Sequence, residues 1–587
     1  MARRLLHTVL LVASRYDERG VMVFRWGIGH NGSPTVLAGL AESYNRRHRD
    51  AEIQWRLFDE HVEAAVTPAM LREWRDAAAA DGAGFVLMVC GIQTTNYSRS
   101  RDIALMARAE GIDVVAGGIH LSCHGPSVDF FVSCGISVGV GEVEPVWDEI
   151  IEDCFAGTLK PLYRVRPEQG IRVKTNISDM TAPDLTDQPF PVYPVGYLGK
   201  FMLSRQASID GSRGCPFICT FCSVKNAFGR TVRARAPEAL AAWMAERHDR
   251  DGIRMFAFSD DDFPRSPRYV ALLEAIAEVR ATRPTLLISM LADVDCTAFA
   301  EQDSARGEKT RAFLELCKRA GVAKVCLGLE STSDAGLADF QKHVNRARQA
   351  QVDEKARATL ERYRAAIQAW QSIDTTVECS IILGTDSDDR QAGLRTARDV
   401  MEIGADIVTF NILTPFPGSE DYAAAVASGR LSELEDFNEY FFRPVLRHPR
   451  LSPDELIALH DEAIGYYYSW RNISRRVARG LLGIGRPRVR RPMVFLSRQL
   501  GAKLILSFGL WSYFQGGLWR SRKDALPRQV RTDAEARRFY LGDAAEMFRG
   551  TVPESMLDQG RIDSLPVLLH HYAGSAGGSS ASGAERR

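Results

Sequence analysis

Three cysteines within eight residues constrain this chain more than any other feature. They stand in Gly214-Cys215-Pro216-Phe217-Ile218-Cys219-Thr220-Phe221-Cys222, at spacing C-x3-C-x2-C. Thiolates this close in sequence can converge on one metal centre with little help from distant parts of a fold. A structural zinc site is one outcome, but it wants four nitrogen or sulfur ligands, usually as two separated pairs. No second C-x2-C pair occurs in the 587 residues. A four-iron cluster normally takes four cysteine ligands. Held by only Cys215, Cys219 and Cys222, it would leave one iron open to a small molecule.

The rest of the composition narrows the class. Seventy-four Lys and Arg balance 74 Asp and Glu, which argues against a general nucleic-acid binder. Eleven cysteines without a regular framework point to reduced thiols and a cytoplasmic compartment. The stretch Ala2–Ser14 superficially mimics a signal peptide, but its apolar part is short and Arg15, Asp17 and Glu18 follow at once. A first buried strand is the expectation. No apolar run reaches the roughly 18 residues wanted for a membrane span.

Residues 1–165 alternate short apolar runs with helical patterns. The strand expectations are Thr8–Ala13, Glu52–Phe58, Phe85–Val89, Asp113–Ala116 and Ile136–Val140. Helices are expected at Val36–Arg47, Ala64–Ala79, Ser98–Glu110 and Pro145–Phe155. This alternation predicts an α/β domain, a doubly wound, mostly parallel, Rossmann-like sheet. Ligands of such sheets bind beyond the strand carboxyl ends. Glycines cluster there: Gly91, Gly117, Gly118, Gly139 and Gly141. No G-x-G-x-x-G follows the first strand, so a dinucleotide is not indicated.

The sequences Val114-Val115-Ala116-Gly117-Gly118-Ile119-His120-Leu121-Ser122 and Gly139-Val140-Gly141-Glu142-Val143-Glu144 resemble segments of the cobalamin-binding domain that precedes many radical S-adenosylmethionine (SAM) domains. Val140 and Val143 depart from that family's G-E-G-E pattern. The resemblance implies cobalamin near Gly117, Gly118, His120, Gly139 and Gly141, with His120 open between a ligand and a structural role. A degenerate domain without cofactor is the alternative. Asp59-Glu60-His61 is followed by Ala64 where a cobalt-binding D-x-H-x-x-G has its glycine, and it follows the second strand rather than the first, so His61 is expected at the surface.

Prolines at 183, 189, 191 and 194 mark residues 166–205 as an extended linker. Residues 206–430 then resemble a radical SAM core. The cysteine loop, with Phe221 before the third cysteine and Arg213-Gly214 ahead of the first, is that family's signature. A strand at Met202–Ser208 would feed it. Four further segments match in order. Phe258-Ser259-Asp260-Asp261-Asp262-Phe263 resembles F-x-D-D-x-F, which nominates Asp260 and Asp261 for the SAM ammonium; a solvated acidic turn or a Mg2+ site is the alternative. Gly328-Leu329-Glu330-Ser331 would turn Glu330 to the pocket, and Ser380–Gly384 would line the adenine. Pro415-Phe416-Pro417-Gly418-Ser419 resembles the loop after the sixth strand. The implied fold is a partial (β/α) barrel of TIM type with its site at the strand carboxyl ends.

Residues 431–572 are expected to be mainly helical. From Arg471 to Tyr540 there are 17 Lys and Arg against 3 Asp and Glu. The uncharged, aromatic-rich stretch Leu504–Trp519 suits an interfacial segment or a buried helix. Residues 573–587, rich in Gly, Ser and Ala, are expected to be disordered.

The resemblance implies a cobalamin-dependent radical SAM enzyme with a [4Fe-4S] cluster, SAM and cobalamin. It implies C-methylation of an unactivated carbon in a hydrophobic or natural-product-like substrate. A radical cyclase or oxidase without methyl transfer is the alternative, and a non-catalytic iron–sulfur electron-transfer protein is another. Flavodoxin or ferredoxin would be the electron donor. Peripheral attachment at the inner face of a membrane, with a lipid-like substrate, is a further expectation.

Overall fold

The computed structural model describes residues 3–16, 22–23, 29–176, 179–343, 345, 352–431, 437, 440, 443–504 and 532–542. The first sheet has six strands: β1 (Arg4–Val12), β2 (Ala51–Asp59), β3 (Gly84–Val89), β4 (Asp113–Gly117), β5 (Ser137–Gly139) and β6 (Leu162–Tyr163). All pair in parallel, in the order β2-β1-β3-β4-β5-β6. Strand β1 is paired on both sides, and Leu6, Leu10, Leu11 and Val12 are fully buried. A strand covered on both faces reads as one apolar run, which explains why it mimics a signal sequence. The order reverses between β1 and β3, and a crevice opens at such a switch point.

The second sheet also has six parallel strands, but in chain order: β7 (Gln206–Ile209), β8 (Met255–Phe258), β9 (Leu287–Ala292), β10 (Val322–Glu330), β11 (Thr376–Leu383) and β12 (Ile407–Ile412). Sequential order with intervening helices is the topology of a barrel, and this one is open between β7 and β12. Strand β7 begins at Gln206 rather than Met202. Its neighbour β8 starts at Met255, opposite Gln206, so residues 202–205 have no strand to pair with and form a turn.

Both barrel edges are covered, which removes sites for strand addition. On β7, the Ser208 N–H donates to His30 Nε2 at 3.0 Å and the Tyr193 hydroxyl donates to Ser208 O at 2.8 Å. On β12, the Tyr468 hydroxyl accepts from Val408 N and donates to Val408 O. The first edge is thus sealed by the first domain and the linker, the second by the C-terminal region.

The linker carries a short antiparallel hairpin, Ile171–Val173 with Met180–Ala182, before its extended stretch. Helices Pro453–Tyr467, Trp470–Leu482 and Pro492–Ala502 pack on the barrel. Helix Asp533–Leu541 returns to the first domain, where Asp533 meets Arg101 at 3.1 Å and the Tyr97 hydroxyl at 2.9 Å. Part of the expected basic excess before residue 504 turns inward. Arg486 pairs with Asp406 at 2.5 Å, Arg476 bonds the Gln499 side chain, and Lys503 bonds Tyr468 O. No helix among the described residues is long and apolar enough to cross a membrane. The stretch 505–519 and the tail 573–587 lie outside the described residues.

Candidate active site

The cysteine loop begins just past the carboxyl end of β7 and is fixed at several points. Gly214 has φ +101°, and a Cβ there would stand 2.7 Å from Thr231 O, so no side chain fits. Its N–H donates to Asp261 Oδ2 at 2.9 Å, and the Cys215 N–H donates to Gly229 O. Lys225, buried, bonds Cys219 O and pairs with Glu420. Burial pushes the Cys215 thiol up to about 12 and that of Cys222 to about 11, and it raises Cys219 as well. Iron binding at neutral pH must therefore release these protons. Three sulfur donors on one pinned loop are a donor set that a [4Fe-4S] cluster takes, although among the described residues no three His, Cys, Asp or Glu side chains are grouped to hold a metal ion as they stand.

The acidic run after β8 divides its labour. Asp260 is buried and satisfied within the protein: Gly211 N–H donates to it at 2.8 Å and the Ser212 hydroxyl at 2.5 Å. It ties the end of β8 to that of β7, and burial pushes its carboxyl up to about 7. Asp261 holds Gly214 and is pushed up to about 6 by burial. Asp262, which the sequence motif did not single out, is the unsatisfied one. It is 4% exposed, its Oδ1 has no hydrogen-bond partner, and burial followed by the neighbouring Asp293 raises its carboxyl well above the usual range. A buried carboxyl with one oxygen unpaired, already under the charges of Arg265 and Lys342, would be drawn further toward its ionised form by the SAM ammonium.

Opposite stands a second missed residue, Lys342. It bonds Glu330 Oε1 at 3.1 Å, and its charge acts on Cys219. Glu330 ends β10 at φ +63°, a conformation rare for a residue with a side chain. Gly328 makes room for this pair, since a Cβ there would stand 2.5 Å from Glu330 Oε1 and 2.9 Å from Lys342 Nζ. Ser380, on β11, accepts from Asn411 Nδ2 at 3.3 Å. Gly384 has φ +86° and abuts Leu456, so its lack of a side chain serves the contact with helix Pro453–Tyr467. Pro415 is buried in a loop whose Gly418 packs against Cys123 of the first domain.

Beyond the strand ends of the first sheet lies a cavity of about 460 Å3. Gly91, Gly117, Gly118, Gly139 and Gly141 line one side, and Asp210, Arg213, Phe228 and Asp261 of the barrel line the other. Gly117 and Gly141 leave that space open: an added Cβ would meet only Gly139 O at 3.4 Å in the first case and nothing in the second. Such a cradle fits a flat, wide ligand such as a corrin ring. Gly118 is different. Its Cβ would fall 2.2 Å from Ile92 N, so it serves a close crossing of two backbones.

His120 does not line the cavity. Its ring nitrogens meet Thr94 Oγ1 at 3.1 Å and Ser127 Oγ at 3.0 Å, and it is 1% exposed. The sequence motif brought it to the loop, but the core absorbed its side chain, which gives it the structural role. His61 is partly exposed and bonds Asp59. Among the described residues no histidine lines the cavity.

A parallel barrel in chain order, with three cysteines on the loop after its first strand, defines a radical SAM domain. The sequence model of the radical SAM superfamily matches residues 209–409. More particularly, the chain is similar to proteins named as methyltransferases. It is 25% identical over 370 residues to the bacteriochlorophyllide d C-12(1)-methyltransferase of Chlorobaculum tepidum, covering 62% of this chain and 72% of that one. It is 22% identical over 498 residues to the hopanoid C-2 methylase of Rhodopseudomonas palustris, covering 82% and 81%. The structure of the radical SAM methyltransferase TsrM from Kitasatospora setae, with cobalamin and a [4Fe-4S] cluster bound, superposes with a TM-score of 0.52. It shares 14% identity and covers 86% of this chain and 99% of that one, a likeness of fold.

Proposed function

We propose that this chain is a cobalamin-dependent radical SAM C-methyltransferase acting on a hydrophobic, polycyclic substrate. One observation carries the proposal: the glycine-lined cavity of the first domain opens directly onto Asp261 and Arg213 beside the cysteine loop. A cofactor there would face the cluster across the space where a substrate carbon must sit. Bound in this site, the cluster and SAM would supply a 5′-deoxyadenosyl radical, and cobalamin a transferable methyl group. The chain's own residues would orient them. Cys215, Cys219 and Cys222 would hold the cluster, Asp262 would accept the SAM ammonium, and Lys342 would keep Glu330 in its strained conformation. Flavodoxin or ferredoxin would deliver the electron.

The test is reduced, reconstituted protein supplied with methyl-labelled SAM and two probe classes, chlorin pigments and hopanoid triterpenes. Label in a new carbon–carbon bond supports methylation. Product without label, alongside 5′-deoxyadenosine, supports the cyclase or oxidase reading. Absence of 5′-deoxyadenosine under every condition leaves only an electron-transfer protein.

A lipid-like substrate is favoured by exposed apolar side chains on and beside helices Trp470–Leu482 and Pro492–Ala502. Trp470, Leu482, Ile484, Met493 and Leu504 are 57–75% exposed and adjoin the exposed, basic Arg471, Arg488 and Arg490. Apolar side chains flanked by arginines suit an anionic bilayer, each basic residue contributing about 1 kcal/mol. Vesicles of anionic lipid should co-sediment the full chain at low salt and release it at high salt. The full chain with Leu482→Ser, Ile484→Ser and Met493→Ser should stay in the supernatant. Equal sedimentation of both proteins would remove the membrane from the proposal.

A further inference from the structure

The two halves of the candidate site belong to different domains, so something must set the distance between them. Arg213 stands one residue before Gly214-Cys215 and lines the shared cavity. One terminal nitrogen, Nη1, lies 2.6 Å from Glu142 Oε1 and 2.6 Å from Glu144 Oε1, both in the loop after β5 of the first domain. Its Nε lies 3.0 Å from Asp210 Oδ2, just past β7 of the barrel. Arg233 pairs with Glu142 as well, at 2.7 Å, from the strand that stands antiparallel to residues 212–213. Arg235 extends the network from Asp210 to the linker carbonyl of Gln188. All three carboxylates are at least 90% buried at the side chain.

We propose that Arg213 is a positioning residue that fixes the first domain's cavity against the cysteine loop, by bonding carboxylates of both domains from a point adjoining Cys215. This rests on the cobalamin reading above for its consequence, but the clamp itself does not. The argument is one of geometry and burial. A planar guanidinium presents several donors in a fixed fork, so it holds three carboxylates in one arrangement more firmly than an ammonium on its flexible stem. A charge network this dry is costly to form and costly to break, and a buried ionic group of that kind specifies one geometry among several of similar packing. Glu142 and Glu144 sit on the loop that carries Gly139 and Gly141, so moving them moves the cradle. Arg213 is joined through Gly214 to the first cluster ligand, so the two sites shift together or not at all. A substrate carbon placed between two cofactors tolerates little error in that distance.

The experiment compares the wild-type full chain with Arg213→Gln, Arg213→Lys and Glu144→Gln. Hydrogen exchange of residues 137–147 and 206–214 reads the clamp without any cofactor. Pulsed electron paramagnetic resonance then reads the separation between the reduced cluster and cob(II)alamin in protein loaded with hydroxocobalamin. Arg213→Gln should raise exchange at least tenfold in both segments and broaden the single narrow distance of the wild type. Arg213→Lys should recover part of the effect, and Glu144→Gln, which removes one of three partners, should fall between. Iron content near four per chain in each variant would show that the loop still folds. If Arg213→Gln fails to fold, Glu144→Gln alone decides the matter by the same two readings. Exchange and distance unchanged from wild type in the decisive variant would overturn the proposal. If the wild type takes up no cobalamin, the cobalamin reading fails, and exchange still decides the clamp.

Discussion

At the scale of single residues, three neighbouring aspartates show how one motif distributes its work. Asp260 and Asp261 spend their oxygens on Gly211, Ser212 and Gly214, while Asp262 keeps a buried oxygen free. Asp262→Asn should therefore raise the KM for SAM about tenfold or more and leave the iron content near four per chain, measured by SAM titration and iron analysis. Asp260→Asn should instead lower thermal stability, because it loosens the tie between β7 and β8. Joint replacement of Cys215, Cys219 and Cys222 by Ala should abolish iron uptake; a variant that retained iron would move the cluster elsewhere. The glycines divide likewise. Gly117→Val should weaken hydroxocobalamin binding with little change in melting temperature, since its Cβ position is open. Gly118→Val should lower the melting temperature itself, because its Cβ would strike the backbone of Ile92.

Elements were more legible in the sequence than contacts. Strands β1 to β5 and the helices that follow β1, β2 and β3 announce themselves, because buried parallel strands are apolar throughout and helices repeat every 3.6 residues; the short helices Ile119–Cys123 and Gly125–Ser133 between β4 and β5 do not. The cysteine loop is a local signal and was readable for the same reason. His120 was ambiguous because its neighbours Thr94 and Ser127 lie 26 and 7 residues away, in other elements. Lys342 and Arg213 have no role legible in the sequence because Glu330 lies 12 residues from the first, and Glu142 and Glu144 lie 71 and 69 from the second. His124 is another such case. It lies at the junction of helix Gly125–Ser133 with the barrel, where its Nε2 meets the Tyr422 hydroxyl at 3.2 Å and its Nδ1 meets Ser127 Oγ. Burial lowers it from 6.5 to about 4. The fold thus resists protonation that the unfolded chain accepts. Stability is full above about pH 6.5 and falls as pH drops toward 4, by up to about 3 kcal/mol. Denaturant unfolding at pH 7 and 4.5 should show that loss, and His124→Gln should shrink the His-dependent part of it.

The molecule as a whole behaves as one body rather than as beads on a string. A continuous apolar core joins Leu10 and Trp147 of the first domain, Tyr193 and Tyr197 of the linker, Phe256 and Ile288 of the barrel, and Leu456 and Tyr467 beyond it. The chain also closes on itself, since helix Asp533–Leu541 lies on the first domain more than 400 residues away in sequence. There Asp533 serves the fully buried Arg101 and the Tyr97 hydroxyl, and Arg537 bonds Ser133 O at 3.1 Å. Replacing Asp533 by Ala strips a buried guanidinium of one carboxylate and a buried phenol of its acceptor, which costs about 2–4 kcal/mol. Because the core is shared, that loss should be felt everywhere. Calorimetry of the full chain should show one unfolding transition, and Asp533→Ala should move the whole of it to lower temperature. A variant in which the first domain melts alone, ahead of an unshifted barrel, would show that the domains are energetically separate. The distance between cradle and cluster would then rest on the Arg213 network by itself.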